Sequence, residues 1–263
     1  MKVLTASLGK FTGAAAVALA LAVAAPVNAG LLSVTTAIGT ANAEAAEDAF
    51  LASVASGGFV TEDFEGDEFS SLDFAASFST AVGDLSRSAT ASDGTGACED
   101  IGDGSCSELV ILDSDDSPFS GRFNTTDGGS QWLDSNDITS VTWDIIDPGF
   151  VVDAFGFFLT DVTDQGARFS VTFDDGTTDE TLLALGNQNN GELVYVSAVS
   201  DASIVSSQVV LENTGGNTTG DGFGIDDVTI GRVPEPSVLA LFGSALLGLG
   251  VVGGLRRRRN LSV

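Results

Sequence analysis

The stretch Ala167–Asp179, ARFSVTFDDGTTD, decides the fold class. Ala167, Phe169, Val171 and Phe173 alternate with Arg168, Ser170 and Thr172, the two-residue period of a strand with one buried face. Asp174-Asp175-Gly176 then breaks the run, and Gly176 supplies the positive φ that a tight hairpin turn needs. The stretch is therefore read as a half-buried antiparallel strand and the turn that follows it.

Eight more runs share this texture: 58–65 (GFVTEDFE), 108–113 (ELVILD), 138–146 (ITSVTWDII), 154–162 (AFGFFLTDV), 181–186 (TLLALG), 192–199 (ELVYVSAV), 204–212 (IVSSQVVLE) and 222–230 (GFGIDDVTI). Clusters of Gly, Asp, Asn and Ser separate them, and no long helical pattern intervenes. The expectation is an all-β chain, an antiparallel β-sandwich of jelly-roll-like type over 58–231. Seventeen phenylalanines and two tryptophans are enough to fill its interior. The run 154–162 is apolar on both faces for four residues and belongs at the centre of a sheet. Before the strands, residues 30–57 read as a short helical lead-in. Asn42 is its expected cap, Phe50, Leu51 and Val54 its apolar stripe, and Gly57-Gly58 its end.

Both ends of the chain read as processing segments. Lys2 and Lys10 precede an alanine-rich run, and PVNA closes it, so residues 1–29 read as a secretory signal peptide cut after Ala29. Ala41–Ala43 offers a second cut farther from the apolar run. At the other end, Val238–Leu255 is uncharged and Arg256, Arg257, Arg258 and Arg259 follow it. A helix of that length covers about 27 Å, close to a hydrocarbon core of about 30 Å. The arginines then stop transfer on the cytoplasmic side. Pro234, Glu235 and Pro236 stand immediately before this transmembrane helix.

Pro-Glu-Pro, an apolar helix and an arginine cluster, in that order and at the terminus, resemble the PEP-CTERM sorting signal of bacterial exported proteins. The resemblance covers 233–259. It implies processing by an exosortase, a membrane-embedded cysteine protease-transpeptidase, and delivery to the cell surface or the exopolysaccharide matrix. It carries no information about what the protein does there.

Between Gly30 and Val233 the chain holds 36 acids against four arginines, with no lysine or histidine, for a net charge of −32. Such a surface repels nucleic acid and anionic lipid, so neither is an expected partner. Without histidine there is no Ser-His-Asp triad and no common catalytic zinc site, and no phosphate-binding or dinucleotide motif is present. No catalytic residue is assigned. Crowded carboxylates are candidates for divalent cations, and Ca²⁺ is the natural one for all-oxygen ligands. Glu65 follows the first strand of the body, and Asp226 and Asp227 lie in the last. First and last strands of a jelly roll commonly lie together, so these three are the candidate metal ligands, with Asp227 and Thr229 expected to alternate outward. Phe-Glu near the start and Asp-Asp-Val near the end are similar to calcium-stabilised carbohydrate-binding jelly rolls, which implies a structural calcium there.

Cys98 and Cys106 are the only cysteines, and in an exported chain they read as a disulfide closing a small loop, worth about 2–3 kcal/mol. The segment 123–137 (FNTTDGGSQWLDSND) sets Trp132 among Asn124, Gln131 and Asn136. That makes Trp132 a candidate sugar-stacking residue, with burial between the sheets as the competing reading. The functional expectation is a non-catalytic surface or matrix protein serving adhesion or exopolysaccharide association. A polysaccharide-active hydrolase or lyase, and a purely structural matrix protein, are the alternatives.

Overall fold

The computed structural model describes residues 32–88, 97–98, 100–101, 108–136, 138–162, 166–183, 190–211 and 222–234. The expected signal peptide, Cys106, Glu235 and Pro236, the 238–255 segment and the four terminal arginines lie outside them. Among the described residues no helix is long and apolar enough to cross a membrane.

In chain order the elements are β1 (Leu32–Ile38), α1 (Thr40–Val54), β2 (Phe59–Glu62), β3 (Asp73–Ala75), β4 (Ser77–Thr80), β5 (Gly83–Arg87), β6 (Leu109–Asp113) and β7 (Gln131–Asp134), then β8 (Ser140–Ile145), β9 (Ala154–Thr160), β10 (Ala167–Phe173), β11 (Thr178–Leu183), β12 (Val194–Ser200), β13 (Ile204–Leu211) and β14 (Gly224–Gly231). They form two antiparallel sheets. One runs β1-β12-β9-β14-β7-β6-β3 with β2 also on β14, and the other runs β11-β10-β13-β8-β5-β4.

The sheets pack face to face through the alternating residues. Phe169 of β10 meets Phe155 and Phe157 of β9, and Trp143 of β8 meets Phe155 edge-on at 5.5 Å. The Trp143 indole N–H donates to the Val82 carbonyl at 3.1 Å, so its one polar atom is satisfied inside the core. The opening stretch behaves as read. β10 alternates buried and half-buried, and Gly176, at φ 81°, turns it into β11. The run 154–162 supplies β9, buried at all seven strand positions between β12 and β14.

The lead-in departs from expectation. Only Thr40–Val54 is helical; Leu32–Ile38 is a strand, paired along its length with β12. The β-branched pattern of LSVTTAI is strand-like, and a sheet edge was available to receive it. Asn42 does not cap the helix. Gly39 holds that position, and the Asn42 amide donates to the Ile38 carbonyl at 2.9 Å. The helix ends near Gly57-Gly58, where both amides donate to Val54. Ala43, Phe50 and Val54 pack α1 onto the outer face of the larger sheet, against Ala154, Phe158 and Tyr195. Strands β3, β4, β5 and β7 also lack the long apolar runs that mark the others. They are three to five residues each and take their place from neighbours.

A buried ionic cluster pins the irregular segment between β6 and β7. Arg122, 6 % exposed, donates from Nη1 to Asp134 Oδ1 at 3.0 Å and to the Asn136 carbonyl at 2.9 Å, and from Nε to Asp161 Oδ2 at 3.2 Å. Its guanidinium lies 4.1 Å from the centre of the Phe119 ring. Burial works against the charge, but the two carboxylates outweigh it and hold the guanidinium's proton more tightly than usual.

Candidate functional site

The site grows from a fork in the larger sheet. Gly224 and Ile225 of β14 pair with β7, whereas Val228–Gly231 pair with β2 on the same side. Between the two partners Asp226 and Asp227 belong to neither ladder. On the opposite side the register with β9 slips between Asp226 and Thr229, and Asp227 sits at φ 48°. This is a bulge, which turns side chains out of the alternation expected of a strand. Its result is a correction to the sequence reading. Neither Asp227 nor Thr229 is solvated: they are 8 % and 1 % exposed, and Asp226 is 1 % exposed. Thr229 instead shares a 2.7 Å hydroxyl contact with Thr61 of β2.

The segment anchored by Arg122 fills the fork. Thr125 donates its backbone N–H to Asp226 Oδ2 at 2.6 Å. Its hydroxyl lies 2.9 Å from Asp226 Oδ2 and 2.8 Å from Asp227 Oδ2, and the Thr126 hydroxyl donates to Asp227 Oδ1 at 2.8 Å. One hydroxyl proton cannot serve two carboxylates, so the arrangement favours a proton on the aspartate pair. Burial, and then the repulsion between the two, raises the proton affinity of Asp226 well above the usual carboxylate range. Burial raises that of Asp227 as well.

Glu65 sits just beyond β2 and joins the same network. Its Oε1 accepts from the Ser130 and Gln131 amides at 2.6 and 2.7 Å and from Asn124 Nδ2 at 3.0 Å. That Asn124 nitrogen also donates to the Gln131 carbonyl at 2.8 Å and stands 3.4 Å from Asp226 Oδ2. Two carboxylate oxygens and a carbonyl oxygen thus converge on one amide nitrogen. The structure brings Glu65 and Asp226 together as the sequence suggested, while Asp227 turns to the other side, toward α1. Among the described residues no group of three or more His, Cys, Asp or Glu side chains is placed to hold a metal ion.

On the α1 side lies a cleft of about 640 Å³, within the ordinary range for small-molecule sites. Thr40, Glu44, Glu47 and Asp48 of α1 form one wall; Phe123–Asp127 form the other, with Asp227, Phe158 and Leu193 between them. Phe123 is 37 % exposed and Phe158 is buried. Five of the lining residues are carboxylates and none is basic. Glu47 is the most perturbed. Half-burial, then Asp227, Asp48, Asp127 and Glu44, push its carboxyl up to about 7.

Trp132, the candidate stacking residue, is 1 % exposed and packs with Val110 and Leu112, its indole N–H on Asp134 at 3.2 Å. Leu133 beside it enters the core between the sheets, while Trp132 is buried on the opposite face of the larger sheet, with Val110, Leu112 and Phe119, next to the Arg122 cluster. The aromatic that does reach the cleft is Phe123, in the same sequence segment. Glu47, Asp127 and Tyr195 were not singled out by the sequence, since nothing local distinguishes them from other acids or strand residues. Cys98 is disulfide-bonded, and among the described residues no cysteine is free.

No protein-family model matches the chain, and no curated protein sequence matches it. Among solved structures it is similar to the K2 cleaved adhesin domain of Lys-gingipain, with TM-score 0.35 and 13 % identity over 66 % of this chain and 98 % of that one. It is also similar to CBM51 from Clostridium perfringens GH95, solved in complex with methyl-galactose (TM-score 0.27, 10 % identity, 65 % and 99 % covered). A third is the pair of CBM51-2 and INT domains from Clostridium perfringens ZmpB (TM-score 0.28, 14 % identity, 67 % and 44 % covered).

The Glu47 carboxyl makes a pH prediction. A carboxyl whose proton is held more tightly in the folded state loses stability as pH rises from about 4.5 to about 7. Glu47→Gln removes that loss. Urea unfolding should show no change near pH ~4 and a gain of roughly 1 kcal/mol near pH ~8, the figure being small because half the side chain is screened by water. A variant less stable than the parent at the higher pH would show that the Glu47 charge is compensated.

Proposed function

We propose that this chain is an exported, non-catalytic β-sandwich protein of jelly-roll-like type, sorted through a PEP-CTERM tail to the cell surface or extracellular matrix, where it holds exopolysaccharide. The observation that carries the binding half is the cleft between α1 and the 123–127 segment. Phe123 offers an exposed ring at its rim, and hydroxyls of Thr40, Thr125 and Thr126, the Asn124 amide and several carboxylates surround it. An aromatic face with many oriented acceptors and few apolar walls suits a polyhydroxylated ligand better than an apolar one.

The second reading, a polysaccharide-cleaving enzyme, has one observation behind it. Glu47, holding its proton to about pH 7, and Asp227 line the same cleft, and a proton-bearing carboxyl near a second carboxyl is what glycoside cleavage uses. One experiment separates the readings. The chain from Gly30 to Val233 should be retained on native exopolysaccharide without release of reducing ends, and Phe123→Ala should weaken retention about tenfold while leaving the melting temperature in place. Steady release of oligosaccharide that Glu47→Gln abolishes would establish the enzyme instead. Absence of retention would leave a purely structural protein.

The sorting half rests on the terminal motif alone. Protein recovered from the native cell surface should begin near Gly30 and lack the apolar tail and its arginines, as mass spectrometry of both ends would show. Recovery of the intact chain from cytosol would refute it.

A structural calcium is proposed at Glu65, Asp226 and the Gln131 carbonyl. What supports it is the convergence of their oxygens on the Asn124 amide and, among the described residues, the lack of a basic side chain bonded to Asp226. Bound there, a cation would neutralise the buried pair. Millimolar Ca²⁺ should raise the melting temperature by about 5 °C and chelator should lower it, with Asp226→Asn indifferent to both. Melting curves that ignore calcium would dispose of the site.

A further inference from the structure

We infer that the end of the sandwich from which the chain runs on to its C-terminal segment rests on the lipid bilayer, through an apolar groove built by the β8–β9 connection and the start of β13. This rests on the reading of Val238–Leu255 as a transmembrane helix, and names the surface that the anchored body turns to the membrane.

Exposure is the first argument. Seven large apolar side chains are strongly exposed among the described residues, and three of them, Ile146, Val151 and Val205, line one open groove of about 640 Å³. They are 50 %, 51 % and 40 % exposed, and half-buried Pro148 and Phe150 join them. Single exposed aliphatics are ordinary on a soluble surface, whereas several around one groove mark a surface that is covered in use. Only Asp147 and Arg232 bring charge to this lining, in a body that carries 36 acids against four arginines.

The place where the chain leaves the body is the second, independent argument. β14 ends at Gly231, and the next residue, Arg232, forms part of the groove wall. That exit is pinned. The Asp153 N–H donates to the Gly231 carbonyl at 3.2 Å, the Arg232 N–H to the Gly58 carbonyl at 3.0 Å, and the Val233 N–H to Asp153 Oδ1 at 2.7 Å. After Pro234 only residues 235–237 precede Val238. Four Cα-to-Cα steps reach about 14 Å at full stretch. A bilayer that holds Val238 therefore holds this end of the body close to its surface, whatever path the intervening residues take.

The side chains suit that neighbour. Ile146, Val151 and Val205 match the boundary between headgroups and acyl chains. Arg232 forms no ion pair among the described residues, so it can lay its methylenes along the groove and pass its guanidinium to a lipid phosphate. The tether matters as much as the chemistry. A body this acidic is repelled by anionic lipid in free solution, and a short link replaces that encounter with a high local concentration. Helix α1 runs from the acidic cleft, lined by Thr40, Glu44, Glu47 and Asp48, toward Gly57, which packs on the Arg232 carbonyl. A body seated on its exit end thus carries the cleft toward the other end of α1, away from the lipid.

The test uses the full chain, exported in a host that lacks exosortase so that the tail stays on, and reconstituted in phosphatidylcholine vesicles whose acyl chains carry bromine, which quenches nearby indoles. Resistance to alkaline extraction reports whether the tail is inserted. With the parent's own tryptophan emission subtracted, Val151→Trp should lose about half its fluorescence to the brominated lipid, whereas Phe123→Trp, at the cleft, should lose none. Val205→Trp is a second probe of the groove should Val151→Trp fail to fold. Ile146→Ser with Val205→Ser, added to Val151→Trp, should remove most of the quenching. Unchanged quenching in that variant would assign the nearness to the tether alone and overturn the inference, as would equal quenching of Phe123→Trp and Val151→Trp. An inserted tail with no quenching at Val151 or Val205 would overturn it and leave the sorting reading standing. A tail that alkaline washing removes would overturn both. Absence of quenching in lipid, with photo-crosslinking from Val151 to a membrane protein in cells, would give the groove to a protein partner and overturn the inference as well.

Discussion

The buried contact of Arg122 with Asp134 and Asp161 is the interaction on which the rest of the site depends. It joins the segment before β7 to the end of β7 and to the turn after β9, with 3.0 and 3.2 Å contacts inside the protein. Three residues follow Arg122 directly: Phe123, Asn124 and Thr125. The first reaches the cleft rim, the second bridges Glu65 and Asp226, and the third fills the fork in β14. A loop without regular structure therefore presents its side chains from a fixed base. The cost of burying the charges is met because the guanidinium's main contacts are ionic or to a carbonyl oxygen. Removing Arg122 alone would leave two buried carboxylates facing each other, the circumstance in which a buried pair costs most.

The fork itself follows from pairing. A strand that changes partner along one edge must leave residues between the two ladders, and here those residues are Asp226 and Asp227. Ladder pairing would have sent alternate side chains to core and surface. The bulge instead turns one carboxylate toward Glu65 and the next toward α1, so that adjacent residues serve different environments. Asp226 is enclosed by amide and hydroxyl donors, and Asp227 opens on the cleft. Backbone irregularity, not residue choice alone, gives this β-sandwich two acidic centres from one dipeptide.

How much of this the sequence revealed depended on the range over which each signal acts. Alternation at 167–173 and the run at 154–162, apolar on both faces for four residues, are set by the residues' own burial, and both became the strands they imply. The hairpin at Gly176 was equally local. Short strands such as β3 and β4, held in register by neighbours, left no comparable pattern. The nearness of Glu65 to Asp226 was legible because first and last strands of such a body meet, and β2 does pair with β14. The cleft was not legible. It needs α1 folded over the sheet to bring Glu47 and Asp227 to one cleft, and the segment 123–127 to close its other side. Trp132 misled because an aromatic among amides looks alike whether its face of the sheet is open or covered. What covers it, Phe119 and Ile101 from segments outside β7, is not written in the four residues of that strand.

The acidity of the body is usually a matter of solubility, and for the hairpin acids such as Asp175 and Asp179 that account is sufficient. It does not extend to the fork, or to Glu47 in the cleft. There burial draws carboxylates out of water, so their charge is answered locally by a proton or a cation, whereas Glu44, Asp48 and Asp127 along the cleft stay exposed. The two centres differ in which answer fits. Around Asp226 the oxygens converge on a space no larger than one amide nitrogen, which suits a proton or a single hard cation. Around Glu47 and Asp227 five carboxylates, three of them exposed to water, line a 640 Å³ cleft with Phe123 on its wall. The same chain thus separates a closed acidic centre at the fork from an open one along α1.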